Sequence, residues 1–286
     1  MQNNYIVRNP LGATVTIMVP WDCDNGCAFC VNKSEYADGF DINYSMNKIL
    51  ENIKVMDEIT PRCDFVITGG EPFADCRHLE QIVEAIPDTH FIFINTTLPI
   101  LHKSEIYDFI KEYSHRITCI NVSRHIWTPV DGANDKFLKK IGEYTPIRIN
   151  SVIHDCVRAS RKVQAQIEDF MERFSAYNIQ FRADYRGVTL NDIDDFKTHP
   201  NYILLTNSGF EYVDHSMEIN RVNVKLNHEG HEVHWHLTTD FSRISCDDGF
   251  ELVDIIMNQD GYLMDDWNNY GFMLDLGAYK KAVSDI

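Results

Sequence analysis

The sequence lacks a long apolar segment and any concentration of basic residues. No stretch approaches the roughly 18 consecutive apolar residues needed to span a bilayer, and residues 1–5 show neither the basic nor the apolar part of a signal peptide. The 26 basic residues are outnumbered by 43 acidic ones, which gives a formal net charge of −17. We therefore expect a cytoplasmic protein that neither crosses a membrane nor binds nucleic acid stably.

The chain also has little that indicates disulfide bonds. Three of its eight cysteines lie within eight residues of each other, and the other five are scattered. A single cysteine-ligated metal centre in a reducing compartment explains this distribution better than a disulfide framework does. Four of the scattered cysteines have no ligand spacing and are expected to be buried thiols, namely Cys63, Cys76, Cys119 and Cys156.

Residues 14–186 alternate between β-rich runs and amphipathic helical runs. Strands are predicted at residues 14–21, 64–68, 90–95, 116–123, 147–154 and 179–184, with a helix in each of the five intervals. This order predicts an α/β fold in which a parallel sheet with right-handed crossovers curls into a partial (β/α)6 barrel. In such folds ligands bind at the carboxyl ends of the strands.

The pattern changes after residue 187. A short acidic helix at residues 191–199, closed by Pro200, precedes β-rich runs at residues 210–213, 221–226, 232–237 and 251–257. We therefore predict a barrel core at residues 1–187 and a β-rich C-terminal cap at residues 188–286 that does not continue the barrel.

A cysteine motif follows the first predicted strand. The segment CDNGCAFC contains Cys23, Cys27 and Cys30 in the spacing C-x3-C-x2-C. Three thiolates on one tight loop can bind three irons of a 4Fe–4S cluster and leave the fourth iron open. A structural zinc site without a fourth ligand, or chance, is the alternative explanation.

A second motif ends the second predicted strand, where the sequence reads Gly69-Gly70-Glu71-Pro72. Two glycines at this position permit close approach of the backbone to a ligand. The carboxylate of Glu71 can accept hydrogen bonds from an ammonium group, and Pro72 stiffens the turn. An ordinary turn is the alternative for this motif taken alone.

The two motifs together resemble those of the radical S-adenosylmethionine enzymes, including the aromatic Phe29 before the third cysteine. The resemblance covers residues 14–186 and implies one 4Fe–4S cluster, held by the three cysteines, whose open iron takes S-adenosylmethionine. It also implies that Phe29 lies beside the adenine and that Gly69, Gly70, Glu71 and Pro72 hold the methionyl amino group. The implied reaction is reductive cleavage of the cofactor to a 5′-deoxyadenosyl radical, which takes a hydrogen atom from a substrate carbon.

Further candidates rest on position at predicted strand ends. By the same resemblance, Ser123 fits a cofactor-binding serine and Arg182 lies where relatives approach the adenine. Polar residues that could face ribose, carboxylate or substrate, or could merely cap strands, are Asn95, Thr96, Thr97, Arg148 and Asn150. His125 is a candidate catalytic residue for proton transfer or substrate binding, with a structural histidine as the alternative.

The second half of the chain carries two weaker signals. Residues 246–263 resemble the start of the twitch or SPASM region of peptide-modifying relatives, but no cysteine follows in residues 262–286, so we expect a single cluster. Four histidines lie around Trp235, namely His228, His231, His234 and His236. A substrate-facing or solvated strand explains them better than a metal site does, since only His234 and His236 share a strand face.

The substrate class stays open at this stage. The first hypothesis is a peptide or protein side chain, the second is a nucleotide, nucleoside or other small metabolite, and the third is a non-catalytic iron–sulfur sensor or binding protein. An enzyme of this kind also needs a small electron-donor protein, such as a flavodoxin or a ferredoxin.

Overall fold

The structure is a computed structural model, and it describes residues 4–9, 11–30, 41–60, 62–126, 132, 134–154, 161–185, 188–239, 243–267 and 273–286. Of the residues named above, Cys156 lies outside these ranges. The strands are β1 (Tyr5–Ile6), β2 (Thr14–Val19), β3 (Asp64–Gly69), β4 (Phe91–Thr96), β5 (Cys119–Ser123), β6 (Ile147–Ile153), β7 (Asn178–Ala183), β8 (Glu211–Glu218), β9 (Arg221–His228), β10 (His231–Thr238), β11 (Arg243–Cys246), β12 (Gly249–Leu252), β13 (Asp254–Met257) and β14 (Leu263–Met264).

The helices are α1 (Ile42–Ile59), α2 (Cys76–Ala85), α3 (Lys103–Tyr113), α4 (Asp135–Gly142), α5 (Val163–Phe174), α6 (Leu190–Asp194), α7 (Pro200–Asn207) and α8 (Leu276–Ser284). Short 3-10 turns lie at Pro72–Ala74, Ile100–His102 and Phe196–Thr198. Within the described ranges, no helix combines the length and the apolar character needed to cross a membrane.

The six predicted strands and the five helices between them are confirmed. Strands β2 to β7 pair in chain order, and every pairing among them is parallel. The apolar stripes of α1 to α5 are buried and pack on one face of this sheet; α2, for example, buries Leu79, Ile82 and Val83. The fold is therefore mixed α/β with a large parallel sheet at its centre.

The C-terminal strands differ from the prediction, because they continue this sheet at both edges. Strand β10 pairs in parallel with β7, and β13 pairs in parallel with β2. The order is β14-β13-β2-β3-β4-β5-β6-β7-β10-β9-β8, and only β1, β12 and β11 form a separate small sheet. The expectation that the C-terminal region does not continue the central sheet is therefore wrong. The physical reason is that β2 and β7 would otherwise be unpaired edge strands. The domain boundary at residue 187 stays a prediction.

The role of Pro200 also differs from the prediction. The proline starts α7 at its first helical position rather than closing the preceding helix, a position where its missing N–H leaves no hydrogen bond unmade.

The sheet curves so strongly that strands far apart in its order come close together. Burial opposes the charge of Arg221 on β9, but the carboxylates of Asp254, Glu218 and Asp64 raise the pKa of its guanidinium. Asp254 lies on β13, and seven strands separate β13 from β9 in the hydrogen-bonded order. Charges interact this effectively only over short distances, so the sheet is curled and has a concave side.

The two sides of the curled sheet differ in composition. Apolar side chains on one side, such as Ile17, Ile67 and Phe181, are buried in the core. On the concave side, which we call the inner face, alternate positions of the strands from β5 to β9 are polar. These inner-face residues are Asn121, Ser123, Arg148, Asn150, Gln180, Arg182, His234, His236, Arg221, Asn223 and Lys225.

Candidate active site

The cysteine motif forms a partly exposed loop directly after β2. Cys23, Cys27 and Cys30 are all accessible, reduced thiols. The backbone N–H of Cys30 donates to the carbonyl of Cys27 at 3.2 Å, and the amide of Asn25 donates to Cys23 Sγ at 3.8 Å. Burial raises the pKa of the Cys23 thiol, Asn25 opposes this, and the charges of Glu71 and Cys30 add to it. The loop therefore brings Cys23 within electrostatic reach of both Cys30 and Glu71.

The three thiols fit an iron–sulfur cluster by donor type, because such clusters are held by cysteine thiolates. None of them is used in a disulfide, and one short loop carries all three. In the described part of the chain, no three potential ligands are gathered closely enough to count as a formed metal site. The arrangement is thus a set of suitable ligands on one loop rather than a preassembled metal cage.

Gly69 lies at a close contact between two strands. It has a φ of +113°, and a Cβ atom at this position would lie 2.5 Å from the backbone nitrogen of Val19 on β2. The next residue, Gly70, donates its N–H to the carbonyl of Val19. Close approach to β2 thus accounts for a glycine at this position, and the approach of Gly69 to a ligand stays a prediction.

Glu71 is the most highly connected side chain in this region. It is 4% exposed and accepts from the Thr96 hydroxyl at 2.5 Å, the Thr97 hydroxyl at 2.7 Å, and the backbone N–H groups of Thr97 at 2.7 Å and Phe73 at 3.1 Å. Burial raises the pKa of Glu71, and these hydrogen bonds oppose the shift. A carboxylate offers about four lone pairs, so all of its acceptor positions are filled. Pro72 begins the 3-10 turn that Glu71 caps.

Thr97 joins the two motifs. Its hydroxyl accepts from the side-chain amide of Asn25 at 3.4 Å and donates to Glu71. An open pocket lies between the motifs, and its lining includes Asp24, Asn25, Glu71 and Thr97. Sequence reasoning missed Asn25, although its place between the first two cysteines was a usable signal.

Phe29 and His125 meet at the ends of β5 and β6. The Phe29 ring is 9% exposed and contacts His125 edge-on at 4.7 Å and His154 at 5.3 Å between ring centroids. His125 Nδ1 accepts the backbone N–H of Val152 at 3.1 Å. Burial lowers the pKa of His125 to about 4, with further lowering by His154 and Arg124. At neutral pH the imidazole is therefore uncharged, with its proton on Nε2.

The remaining strand-end candidates lie near these groups. Asn95 Oδ1 accepts from Asn121 at 2.8 Å, and Ser123 is the partly exposed last residue of β5. Arg124, which sequence reasoning did not single out, is buried and donates to the backbone carbonyls of Thr97 at 2.9 Å and Ser123 at 2.6 Å. It therefore ties the end of β4 to the end of β5.

Arg148 and Arg182 lie on the inner face, on neighbouring strands. In the sheet register Arg148 is opposite Asn178, and Arg182 is flanked by Val152 and His236. The four histidines of the C-terminal half do not converge: His228 is buried against Phe210, with ring centroids 4.4 Å apart, whereas His231 is exposed. Only His234 and His236 share the inner face, as their alternation predicts.

Comparisons with known proteins give no match to a family model and none to a curated protein. Among solved structures, native anSMEcpe with bound AdoMet is 16% identical, with a TM-score of 0.42, and the match covers 59% of this chain and 51% of that one. SuiB from Streptococcus suis bound to S-adenosylmethionine is also 16% identical, with a TM-score of 0.46 and coverage of 69% and 45%.

The chain thus spans about half the length of these structures. Both of these structures contain bound S-adenosylmethionine.

Proposed function

We propose that this chain is a radical S-adenosylmethionine enzyme, and that its curled sheet is the partial (β/α)6 barrel of that superfamily, extended at both edges by C-terminal strands. The observation that carries the proposal is the link from Asn25 through Thr97 to Glu71. This link places the cysteine loop and the Gly69–Pro72 turn around one pocket at the carboxyl ends of β2 to β4. Ligands of parallel α/β sheets bind at that edge.

Cys23, Cys27 and Cys30 would hold a 4Fe–4S cluster on their loop. When bound, this cluster supplies the electron that cleaves S-adenosylmethionine and so starts hydrogen-atom abstraction from a substrate carbon. A small electron-donor protein of the flavodoxin or ferredoxin type would be the partner that delivers the electron.

The chain's own residues would position the cofactor and shield it. The carboxylate of Glu71 holds the ends of β3 and β4 in place, because both Thr96 and Thr97 donate to it. Gly70, Pro72, Asn95 and Ser123 are proposed to contact the cofactor at these strand ends.

Phe29 would lie beside the adenine, held against His125. Because His125 is uncharged and its Nδ1 accepts from Val152, its remaining function is hydrogen-bond donation through Nε2 rather than release of a proton from an imidazolium. This is the role we propose for it in place of acid catalysis.

Two substrate classes are proposed. A peptide or protein side chain comes first, on the likeness of residues 246–263 to peptide-modifying relatives. A small metabolite comes second, and one observation favours it: the curl brings Arg221 of β9 within electrostatic reach of Asp254 on β13. An extended peptide needs a wide opening between these edges, whereas a compact molecule does not.

Anaerobic reconstitution tests the proposal. We expect about four irons per chain and release of 5′-deoxyadenosine when dithionite and S-adenosylmethionine are added. The Cys27→Ala variant should lose this release while its far-UV circular dichroism is unchanged, because Cys27 lies on a partly exposed loop. Cys246→Ala is the matched control, since Cys246 is also a partly exposed thiol but lies on β11.

The outcomes separate the proposed enzyme from its alternatives. A folded wild-type chain that binds no iron would contradict the cluster assignment. Four irons without cleavage, together with unfolding of Cys27→Ala, would instead indicate a structural or sensing cluster.

A further inference from the structure

The inner face carries a group of hydrogen-bond donors that the proposed cofactor chemistry leaves unused. This donor group consists of Arg148 on β6, Arg182 on β7 and His236 on β10, and His236 is directly opposite Arg182 in the sheet register. Burial lowers the pKa of Arg182 to about 10, and the positive charges of Arg148 and Arg221 lower it further. Arg148 lies opposite Asn178, four residues before Arg182 on the adjacent strand, and its positive charge acts on Arg182 across the inner face.

Gln180 fixes which atoms of this group can donate. Arg182 Nε donates to Gln180 Oε1 at 3.0 Å, so the other end of the Gln180 side chain is its NH₂ group. That NH₂ lies 2.8 Å from His236 Nε2, which must accept the hydrogen bond. Burial and the charge of Arg182 hold the pKa of His236 well below its usual range. The network thus assigns a neutral His236 with its proton on Nδ1.

These donors have no matching acceptors in the described part of the protein. There, no hydrogen bond or ion pair involves the Arg148 guanidinium, the terminal nitrogens of Arg182 or His236 Nδ1. Asp254 attracts Arg182 at a distance but is not hydrogen-bonded to it.

Two other acidic residues along this face are already paired, and Asp64 of β3 is attracted to Arg221 rather than to the donor group. Glu218 binds Arg221 at 2.6 Å, and Glu232 binds Lys225 at 2.5 Å. Although the chain has 43 acidic residues, neither Arg148 nor Arg182 has a hydrogen-bonded carboxylate partner among the described residues. Since charged groups that are lined by protein are normally paired, an anion bound from outside could supply the acceptors that the described residues do not provide.

Solvent reaches this group from the concave side. The Arg182 side chain is exposed, although surrounding protein lowers its pKa, and His236 is partly exposed. A residue that lines a water-filled hollow has both properties. A ligand can therefore reach the donors without unfolding of the sheet.

We propose that the donor group binds an oxyanion, a carboxylate or a phosphate, of the substrate, so that the substrate is an acidic molecule or an acidic side chain. Two guanidinium forks match the geometry of such groups, and the Nδ1–H of His236 adds a neutral donor. The local positive charge also offsets the repulsion that a surface of net charge −17 exerts on an anion. This inference rests on the proposed function, and it assigns Arg148 and Arg182 to the substrate rather than to S-adenosylmethionine.

The test measures anion binding on the full chain after anaerobic reconstitution, by isothermal titration at constant ionic strength, with and without S-adenosylmethionine. Inorganic phosphate and glutarate are the two probes, and chloride is the blank. We expect one probe to bind in the presence of the cofactor and Arg182→Gln to weaken this binding by about tenfold or more. The identity of the probe that binds distinguishes a phosphate from a carboxylate substrate.

The control variant is Arg173→Gln, since Arg173 is an arginine on α5 paired with Asp135 at 2.7 Å and lies outside the inner face. It should bind the probe as the wild type does. If Arg182→Gln does not fold, as judged by circular dichroism, Arg148→Gln replaces it with the same expected loss.

Three outcomes would overturn the proposal. The first is that neither probe binds, and the second is that wild type and variant bind equally. The third is a parallel loss of affinity for S-adenosylmethionine in the variant, which would assign the arginines to the cofactor. Absence of 5′-deoxyadenosine release from the wild type would contradict the proposed function but would leave probe binding measurable.

Discussion

Replacing Glu71 by Gln tests whether one carboxylate holds the ends of β3 and β4 together. Each carboxylate oxygen accepts one backbone N–H, from Phe73 or Thr97, and one threonine hydroxyl. A glutamine keeps one oxygen and replaces the other by an NH₂ group, which donates and cannot accept. Whichever way the amide is oriented, one backbone N–H and one hydroxyl then face another donor.

The magnitude follows from these four contacts. The hydroxyl can rotate to another acceptor, but the backbone N–H cannot, and a buried unsatisfied donor costs about 1–3 kcal/mol. Loss of the charge on the remaining acceptor weakens the other two bonds by about 1 kcal/mol each. Removal of a buried charge offsets part of this, because burial raises the pKa of Glu71. We expect Glu71→Gln to lower the free energy of unfolding by about 2–4 kcal/mol.

Urea unfolding at pH 7.5, followed by far-UV circular dichroism, measures this change. With an m-value of about 3 kcal/mol/M, the midpoint should fall by about 1 M. Glu51→Gln is the control, because Glu51 is an exposed residue of α1 whose pair with Lys48 at 3.3 Å is a surface contact worth at most about 1 kcal/mol. Equal midpoints for Glu71→Gln and the wild type would refute the claim that this carboxylate holds the two strand ends.

Two further substitutions test the surroundings of the site. Gly69→Ala should lower the free energy of unfolding by about 2–4 kcal/mol, since the new Cβ would lie 2.5 Å from the Val19 nitrogen at a φ of +113°. Gly26→Ala is the control and should leave stability unchanged, because a Cβ at that position would have no atom within 4 Å. Equal thermal midpoints for the two variants would contradict this prediction. His125 has a pKa of about 4 in the folded chain, against about 6.5 when unfolded, so its contribution to stability is present above pH 6.5 and is lost as the pH falls towards 4. Between pH 7 and pH 5 this loss of stability is about 2 kcal/mol. The His125→Asn variant, whose side-chain oxygen can still accept from Val152, should lack this loss when the free energy of unfolding is measured in urea at both pH values. An unchanged pH dependence would show that His125 is not the group responsible.

The central strands and helices could be predicted because their positions are encoded locally. Parallel strands buried on both sides read as nearly continuous apolar runs, as in the segment that forms β2 (Thr14–Val19). The helices between them show a regular apolar stripe. Both signals depend on neighbours within a few residues, so they need no knowledge of distant partners.

The pairing of the C-terminal strands could not be predicted in this way. The alternation in β10 (His231–Thr238) indicates a strand with one buried side, but it is silent about which strand lies beside it. The partner is β7, whose last residue lies 48 positions before β10 begins. The pairing of β10 with β7 follows because β7 would otherwise be an edge strand with unpaired backbone groups. That edge exists only in the assembled sheet.

In the candidate site, too, the local features could be predicted from the sequence, whereas the contacts between distant segments could not. The spacing of Cys23, Cys27 and Cys30 is visible in eight residues, and so is the turn that contains Glu71. The contacts that join the two motifs are not visible in this way, because Thr97, which donates to Glu71, lies at the end of another strand. Asn25 of the cysteine loop donates in turn to Thr97. Spacing within one loop thus indicates the type of cofactor, while contacts between loops determine how it is held.

The same distinction bears on substrate recognition. The residues proposed to hold the cofactor come from β2 to β5 and their loops, whereas the donor group depends on β10, which the C-terminal region adds beside β7. Without β10, Gln180 would lose His236 as its acceptor, and the orientation that presents Arg182 to the inner face would no longer be fixed. Under this proposal the C-terminal strands would form part of the substrate side of the sheet, and changes in β10 should alter which molecule is accepted before they alter cofactor cleavage.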